Sequence, residues 1–134
     1  INSATSILLA NFLFLHPAIP IQVFFSAAFA SCIGDAFASV IGKNFGKHKL
    51  ENFGRFPEKS WEGLLAGGIS SFLGVFVIFH FYPISICPNF VIYLAPAVVS
   101  FTIVLVDLYV VKIADNIANS VFSGLLLYLL VAFC

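Results

Sequence analysis

Apolar positions run in long blocks along this chain, and the polar positions collect in short stretches between them. A helix that crosses a hydrocarbon core needs about 20 apolar residues, and five blocks meet or approach that length. Residues 1–15 form the shortest block, which reads as the remainder of a span. The chain has no methionine and opens inside an apolar run, so it is expected to be an N-terminally truncated piece. Residues 18–41 begin at a proline pair, Pro17 and Pro20, suited to a helix entrance. Residues 61–82 open on Trp61, an interfacial residue type, and close at Tyr82 and Pro83. Residues 90–111 follow the turn-like "PISICPN", and residues 117–133 follow the polar break "KIADN". No ten-residue alternation of the kind a membrane barrel needs is present. The expected fold is therefore all-α: a multi-pass transmembrane helix bundle, one membrane domain over 1–134, with a polar loop at 43–60.

Composition strengthens that picture. Hydrophobic residues make up 61% of the chain and charged residues 9%, with a mean hydropathy of +1.09, whereas soluble domains hold roughly 45–50% apolar residues. Formal net charge is zero, so no basic excess points to nucleic acid. Placement matters more than the sum. Lys43, Lys47, Lys49, Arg55 and Lys59 share one short stretch with Glu51, Glu58 and Glu62, an excess of two positive charges, while residues 63–106 carry none. Excess positive charge marks cytoplasmic loops, so loop 43–60 is expected in the cytoplasm. Two spans later the chain returns to the same side at 112–116. The protein is thus expected to be integral to a membrane, either a cell inner membrane or the endoplasmic reticulum.

Several residue types are read as packing. Cys32, Cys87 and Cys134 are odd in number and lack metal-type spacing, so they are expected to be apolar fillers. His16 and His80 lie in apolar runs, and His48 is a loop residue expected to be solvated. Ala27, Ser31, Asp35 and Ser39 recur every four residues, as do Gly63, Gly67 and Ser71, and such small stripes let helices approach closely. "GKNFGK", Gly42 to Lys47, is one residue too short for a Walker loop, and His48 stands where Ser or Thr is required. Backbone amides near Gly42 and Gly46 can still form an anion-binding concavity.

The acids within the apolar blocks are different. A carboxylate at the centre of a membrane helix costs on the order of 2.5–3.5 kcal/mol, so it normally faces a polar partner or cavity. Asp35 stands eight residues before Lys43 and Asp107 five before Lys112, which is about 12 Å and about 7 Å along a helix axis. Both belong just below the cytoplasmic surface, with Asp115 and Asn116 at that level. A proton or ion path favours mid-bilayer carboxylates; a site joining a water-soluble reactant to a lipid headgroup belongs at this depth. Carboxylates below and lysines above suit a divalent cation and a polyphosphate. In a second reading, Asp35 and Asp107 pair with Lys59 or Lys112 and only hold the bundle together.

Two ordered blocks carry a resemblance. Gly34-Asp35, Ala38-Ser39, Gly42, Gly46-Lys47 and "EKSWEG", then "LVDLYVVKIADNIANSVFSG" at 105–124, resemble the signature of the CTP-dependent lipid kinases: dolichol kinase, phytol kinase and the CTP-dependent diacylglycerol kinase. The family commonly has a glutamate where Asp107 stands, an aspartate where Ala114 stands and a proline where Ser120 stands. The resemblance implies transfer of the γ-phosphate of CTP to the hydroxyl of a membrane lipid alcohol, with Mg²⁺ as cofactor. It implies that Asp35, Asp107, Asp115 and Asn116 are catalytic, with Asp35, Asp107 and Asp115 holding metal. Gly42, Lys43, Gly46, Lys47, Lys49, Lys59, Ser60 and Glu62 would contact the nucleotide. Expected partners are CTP, a lipid alcohol and the bilayer. The closest rival is a phosphatidate cytidylyltransferase, which shares a "KSWEG"-like stretch; its later block is expected to hold Lys-Asp and Gly-His-Gly-Gly elements where this chain has "ADNIANS". A non-catalytic transporter or scaffold is the rival of another class.

Overall fold

The computed structural model describes residues 16–50, 59–109 and 112–134, the last stretch with side chains from Ile117 onward. The described residues form four helices and no strand: α1 (Ile21–Phe45), α2 (Trp61–Phe81), α3 (Val91–Tyr109) and α4 (Lys112–Ala132). Three of them, α1, α2 and α3, are long and apolar enough to cross a membrane, and α4 contains the shorter apolar stretch Ile117–Ala132. Each helix packs on its chain neighbour, and α4 closes the bundle against α1. Cross-helix contacts show that the helices alternate in direction: Gly63 lies by Ala38 and Ser71 by Ala30 across α1–α2, Ser100 bonds Gly68 across α2–α3, and Asn119 bonds Asp107 across α3–α4. The ends of α1 and α3 and the starts of α2 and α4 therefore share one end of the bundle.

Local chemistry sets the helix limits. Ser60 is the N-cap of α2, its Oγ accepting from Gly63 N at 3.2 Å, which satisfies one of the donors left over in a first turn. The turn before α3 closes through Val91 N to Pro88 O at 3.0 Å and Ile92 N to Asn89 O at 3.2 Å. Pro96 is buried inside α3, where it leaves one backbone carbonyl without its usual donor; membrane helices tolerate this because neighbours compensate. α1 continues to Phe45 with Lys43 in its last turn, four residues past its expected end. A cation there suits the negative end of the helix dipole.

Glycine makes the α1–α2 seam close. A Cβ on Gly63 would lie 2.6 Å from the Ala38 carbonyl oxygen, and one on Gly67 would lie 3.0 Å from the Gly34 carbonyl oxygen. Ser71 Oγ crosses the same seam to Ala30 O at 3.1 Å. The Gly63, Gly67, Ser71 stripe is thus a packing surface.

Buried residues change character along the bundle. Val23, Ala30, Val75, Phe79, Val91, Ala95, Val99, Ile103 and Leu127 make an apolar core, and Ile84 from the turn joins it. Nearer the other end the buried residues include Ser31, Asp107, Asn119, Ser120 and Ser123. Phe25, Phe37, Leu65, Ile69, Leu73, Phe101, Phe122 and Leu126 point outward, as expected where the solvent for the outer face is lipid.

The cysteines correct the sequence reading. Cys87 in the α2–α3 turn and Cys134 just past α4 form a disulfide across 47 residues, and Cys32 is free and exposed on α1. Spacing cannot reveal such a pair, because the alternating helices bring the turn and the last residue together. His16 and His80 are both exposed at the disulfide end: His16 Nδ1 accepts from Ala18 N at 3.3 Å, and His80 stacks on Phe76 with ring centroids 5.6 Å apart.

Candidate functional site

The site is built at the end opposite the disulfide, where the α1–α2 loop meets the ends of α3 and α4. Asp107 lies in the last turn of α3, an unfavourable place for an anion because a helix dipole is negative there. Two partners offset this. Lys59 Nζ donates to the Asp107 backbone carbonyl at 2.7 Å and sits 3.9 Å from its Oδ1. Asn119 Nδ2 on α4 donates to the same Oδ1 at 3.2 Å. The side chains of Lys59 and Asp107 are 25% and 11% exposed, so water screens the pair only partly. At an effective dielectric of 20 such a separation gives about 4 kcal/mol of gross attraction, much of it offset by desolvation.

Asn119 is 2% exposed, and its Oδ1 has no hydrogen-bond partner among the described residues. Turning the amide over would set its oxygen against the Asp107 carboxylate, so the orientation is held by Asp107. Below it, Ser123 Oγ donates to the Asn119 carbonyl, Ser120 Oγ donates to Ser31 Oγ at 3.0 Å, and Ser31 Oγ donates to Ala27 O at 2.8 Å. A polar seam therefore descends from Lys59 into the bundle between α1, α3 and α4. The Ser31–Ser120 bond sets the register of α1 against α4. One turn nearer the loop end, α1 carries Asp35 and α4 carries Asn116.

The loop is organised by a side-chain hydrogen bond that the sequence did not suggest. His48 Nδ1 lies 2.7 Å from Glu62 Oε1, and His48 N donates to the same carboxylate at 3.2 Å. Leu50 N donates to Lys59 O at 3.0 Å, and Trp61 N donates to His48 O at 3.1 Å, forming one antiparallel bridge between Lys49 and Ser60. Glu62 thus gathers the loop onto the first turn of α2, and the backbone bridge carries Lys59 to Asp107.

Of the expected site residues, the described structure brings Lys59 to Asp107. Ser60 is buried as the α2 cap; Gly42 is buried inside α1 against Ser60 and Gly63; and Gly46 ends α1 beside Ser60. Lys43, Lys47 and Lys49 are exposed around this end, and Asp35 is exposed on α1. Asp115 and Asn116 belong to α4, and their side chains fall outside the description. The pairing of Asp107 with Lys59 is one of the contacts that the second sequence reading named. Asn119 was missed; its signal was the run Asp115, Asn116, Asn119, Ser120 and Ser123, which recurs at helical spacing in an otherwise apolar helix.

Among the described residues no three His, Cys, Asp or Glu side chains lie together as a metal cage. Mg²⁺ does not need one. It is commonly held by one or two carboxylates together with substrate phosphates and water, and Asp107 is a carboxylate of that kind at this end of the bundle.

The sequence profile of the cytidylyltransferase family matches residues 4–134. The chain belongs to the cytidylyltransferase family. No curated protein and no solved structure matches it. As a cytidylyltransferase-family member it is a CTP-utilising, lipid-related enzyme with membrane-type helices. For such an enzyme, the choice between phosphoryl and cytidylyl transfer turns on which phosphorus of CTP meets the acceptor.

Proposed function

We propose that this member is a CTP-dependent lipid kinase that transfers the γ-phosphate of CTP to the hydroxyl of a membrane lipid alcohol, such as a polyprenol, phytol or diacylglycerol, and releases CDP. The observation that carries the reading is the Lys59–Asp107 junction, a cation and a carboxylate held together where the polar loop meets the α3–α4 connection. Lys43, Lys47 and Lys49 at the same end suit a triphosphate, and the start of α2 adds the positive end of a helix dipole. The block "ADNIANS" favours the kinase over the cytidylyltransferase. The bundle is multi-pass in this reading, with its loop in the cytoplasm where CTP is available.

Phosphoryl transfer depends on position and charge neutralisation more than on an activated nucleophile. Asp107, with Asp35 and Asp115, would hold Mg²⁺, which neutralises polyphosphate charge when bound. Lys59 is placed to reach a phosphate from the rim, Lys43, Lys47 and Lys49 draw the nucleotide to the surface, and the apolar outer faces keep the lipid tail in the bilayer. The family description itself favours a second reading, cytidylyl transfer with release of pyrophosphate, for which the rival resemblance implies phosphatidate as acceptor.

One experiment separates these readings. The full-length protein in detergent is given γ-labelled CTP, Mg²⁺, a panel of lipid alcohols and phosphatidate, beside an Asp35→Asn control. Label in a lipid alcohol together with CDP, lost in the control, supports the kinase. Label in pyrophosphate with cytidine on the lipid supports the second reading, and no turnover by folded protein overturns both.

A further inference from the structure

The Cys87–Cys134 disulfide and the Lys59–Asp107 pair lie at opposite ends of α2 and α3. Lys59 immediately precedes the α2 cap, and Cys87 stands in the turn after α2. The 21 residues of α2 rise about 30 Å, close to the thickness of a bilayer's hydrocarbon core. A bundle inserted along these helices therefore presents its two ends to different aqueous compartments. Disulfides persist in oxidising compartments, whereas thiols facing the cytosol are kept reduced. We infer that Cys87 and Cys134 are oxidised on the non-cytosolic side of the membrane, and that the Lys59–Asp107 site opens to the cytosol.

Charge supports the same orientation independently. All six Lys and Arg and all six Asp and Glu fall between Asp35 and Asp115. The disulfide end, made of the entrance to α1, the turn 82–90 and the last residues of the chain, carries none of them. The oxidation is an ordinary exchange: the two thiols give up two protons and two electrons to a disulfide of that compartment, one S–S bond forms between Cys87 and Cys134, and the oxidant's S–S bond breaks as it leaves as two thiols. The bond joins the end of α4 to the turn between α2 and α3, so it clamps from the far side the helix that carries Asn119 to Asp107. This orientation is separate from the reaction; a failure of phosphate transfer leaves it standing.

The test uses the full-length protein in sealed vesicles prepared in both orientations, with a membrane-impermeant maleimide and a membrane-impermeant phosphine reductant. Cys32 is replaced by Ala, and Asn44→Cys, an exposed position at the loop end of α1, reports the other face. The expected result is that Cys87 and Cys134 label only in vesicles exposing the non-cytosolic face and only after reduction, whereas Asn44→Cys labels without reductant in the opposite vesicles. Labelling of Cys87 and Cys134 without reductant overturns the oxidation, and labelling of all three sites from one face overturns the separation of the ends. Labelling of the reduced pair from the cytosolic face overturns the orientation. The native pair is read on its own in the Cys32→Ala background, so a poorly folded Asn44→Cys chain does not decide the result.

Discussion

Asn119 Nδ2 donates to Asp107 Oδ1 at 3.2 Å across the α3–α4 seam, while Asn119 Oδ1 faces the interior with no partner among the described residues. The amide is therefore a positioning group for the carboxylate, and its oxygen carries an unmet demand for a donor. A buried acceptor in that state costs about 1–3 kcal/mol.

Asn119→Leu keeps the volume but removes both halves of this arrangement. Loss of a hydrogen bond to a charged group costs about 1.5–3 kcal/mol, while relief of the orphan oxygen offsets much of it. The expected stability change is within about 1 kcal/mol of wild type. Asp107 is then held by Lys59 alone, and CTP turnover is expected to fall roughly tenfold or more. Thermal unfolding and turnover measured on one preparation check this; unchanged turnover would remove Asn119 from any role at Asp107.

Lys59→Met should destabilise the protein by about 1–3 kcal/mol, less than a fully buried pair because the lysine keeps a quarter of its exposure. Asp107→Asn in the same background should recover part of that loss, since the carboxylate left unpaired is what makes the single change costly. A double-mutant cycle in detergent measures the coupling. A coupling energy near zero would mean that Lys59 acts only on the α3 carbonyl.

These two pairs show where sequence reading succeeded and where it ran out. The all-helical class was legible because the apolar blocks have the length a bilayer requires and no ten-residue alternation of a barrel type is present. The pairing of Asp107 with Lys59 was among the arrangements weighed, because a carboxylate in an apolar helix needs a cation and few are available. Asn119 was hidden behind the Asp115-Asn116 pair, which drew attention to the start of the helix. α1 runs on to Phe45, beyond the apolar block that ends at residue 41, with Gly42 packed on Gly63. The disulfide had no local signal, as 47 residues separate its cysteines.

The α1–α2 seam makes a graded test. Gly63→Ala places a methyl 2.6 Å from the Ala38 carbonyl, which is backbone and cannot turn aside. The expected loss is about 2–3 kcal/mol. Gly34→Ala meets the Ser71 hydroxyl first, a group that can rotate at the expense of a hydrogen bond, so its loss should be smaller, about 1 kcal/mol. The order of the two in thermal unfolding checks the geometry; equal stability would mean that the helices are further apart than described.

Replacing Cys87 and Cys134 together by Ser tests what the clamp does energetically. For a soluble chain, a bridge across 47 residues is worth about 4 kcal/mol through its constraint on the unfolded state. Here the unfolded reference is different, because membrane helices stay formed and inserted after their packing is lost. Much of the chain entropy that the bridge would remove is already absent, so the double replacement should cost only about 1–2 kcal/mol. Its larger effect should fall on α4, which packs against α1 and α3 but makes little contact with α2. Hydrogen exchange is therefore expected to rise first in the last turns of α4, with α2 close to wild type. A uniform rise across all four helices would show that the bridge stabilises the bundle as a whole and does not act as a local clamp.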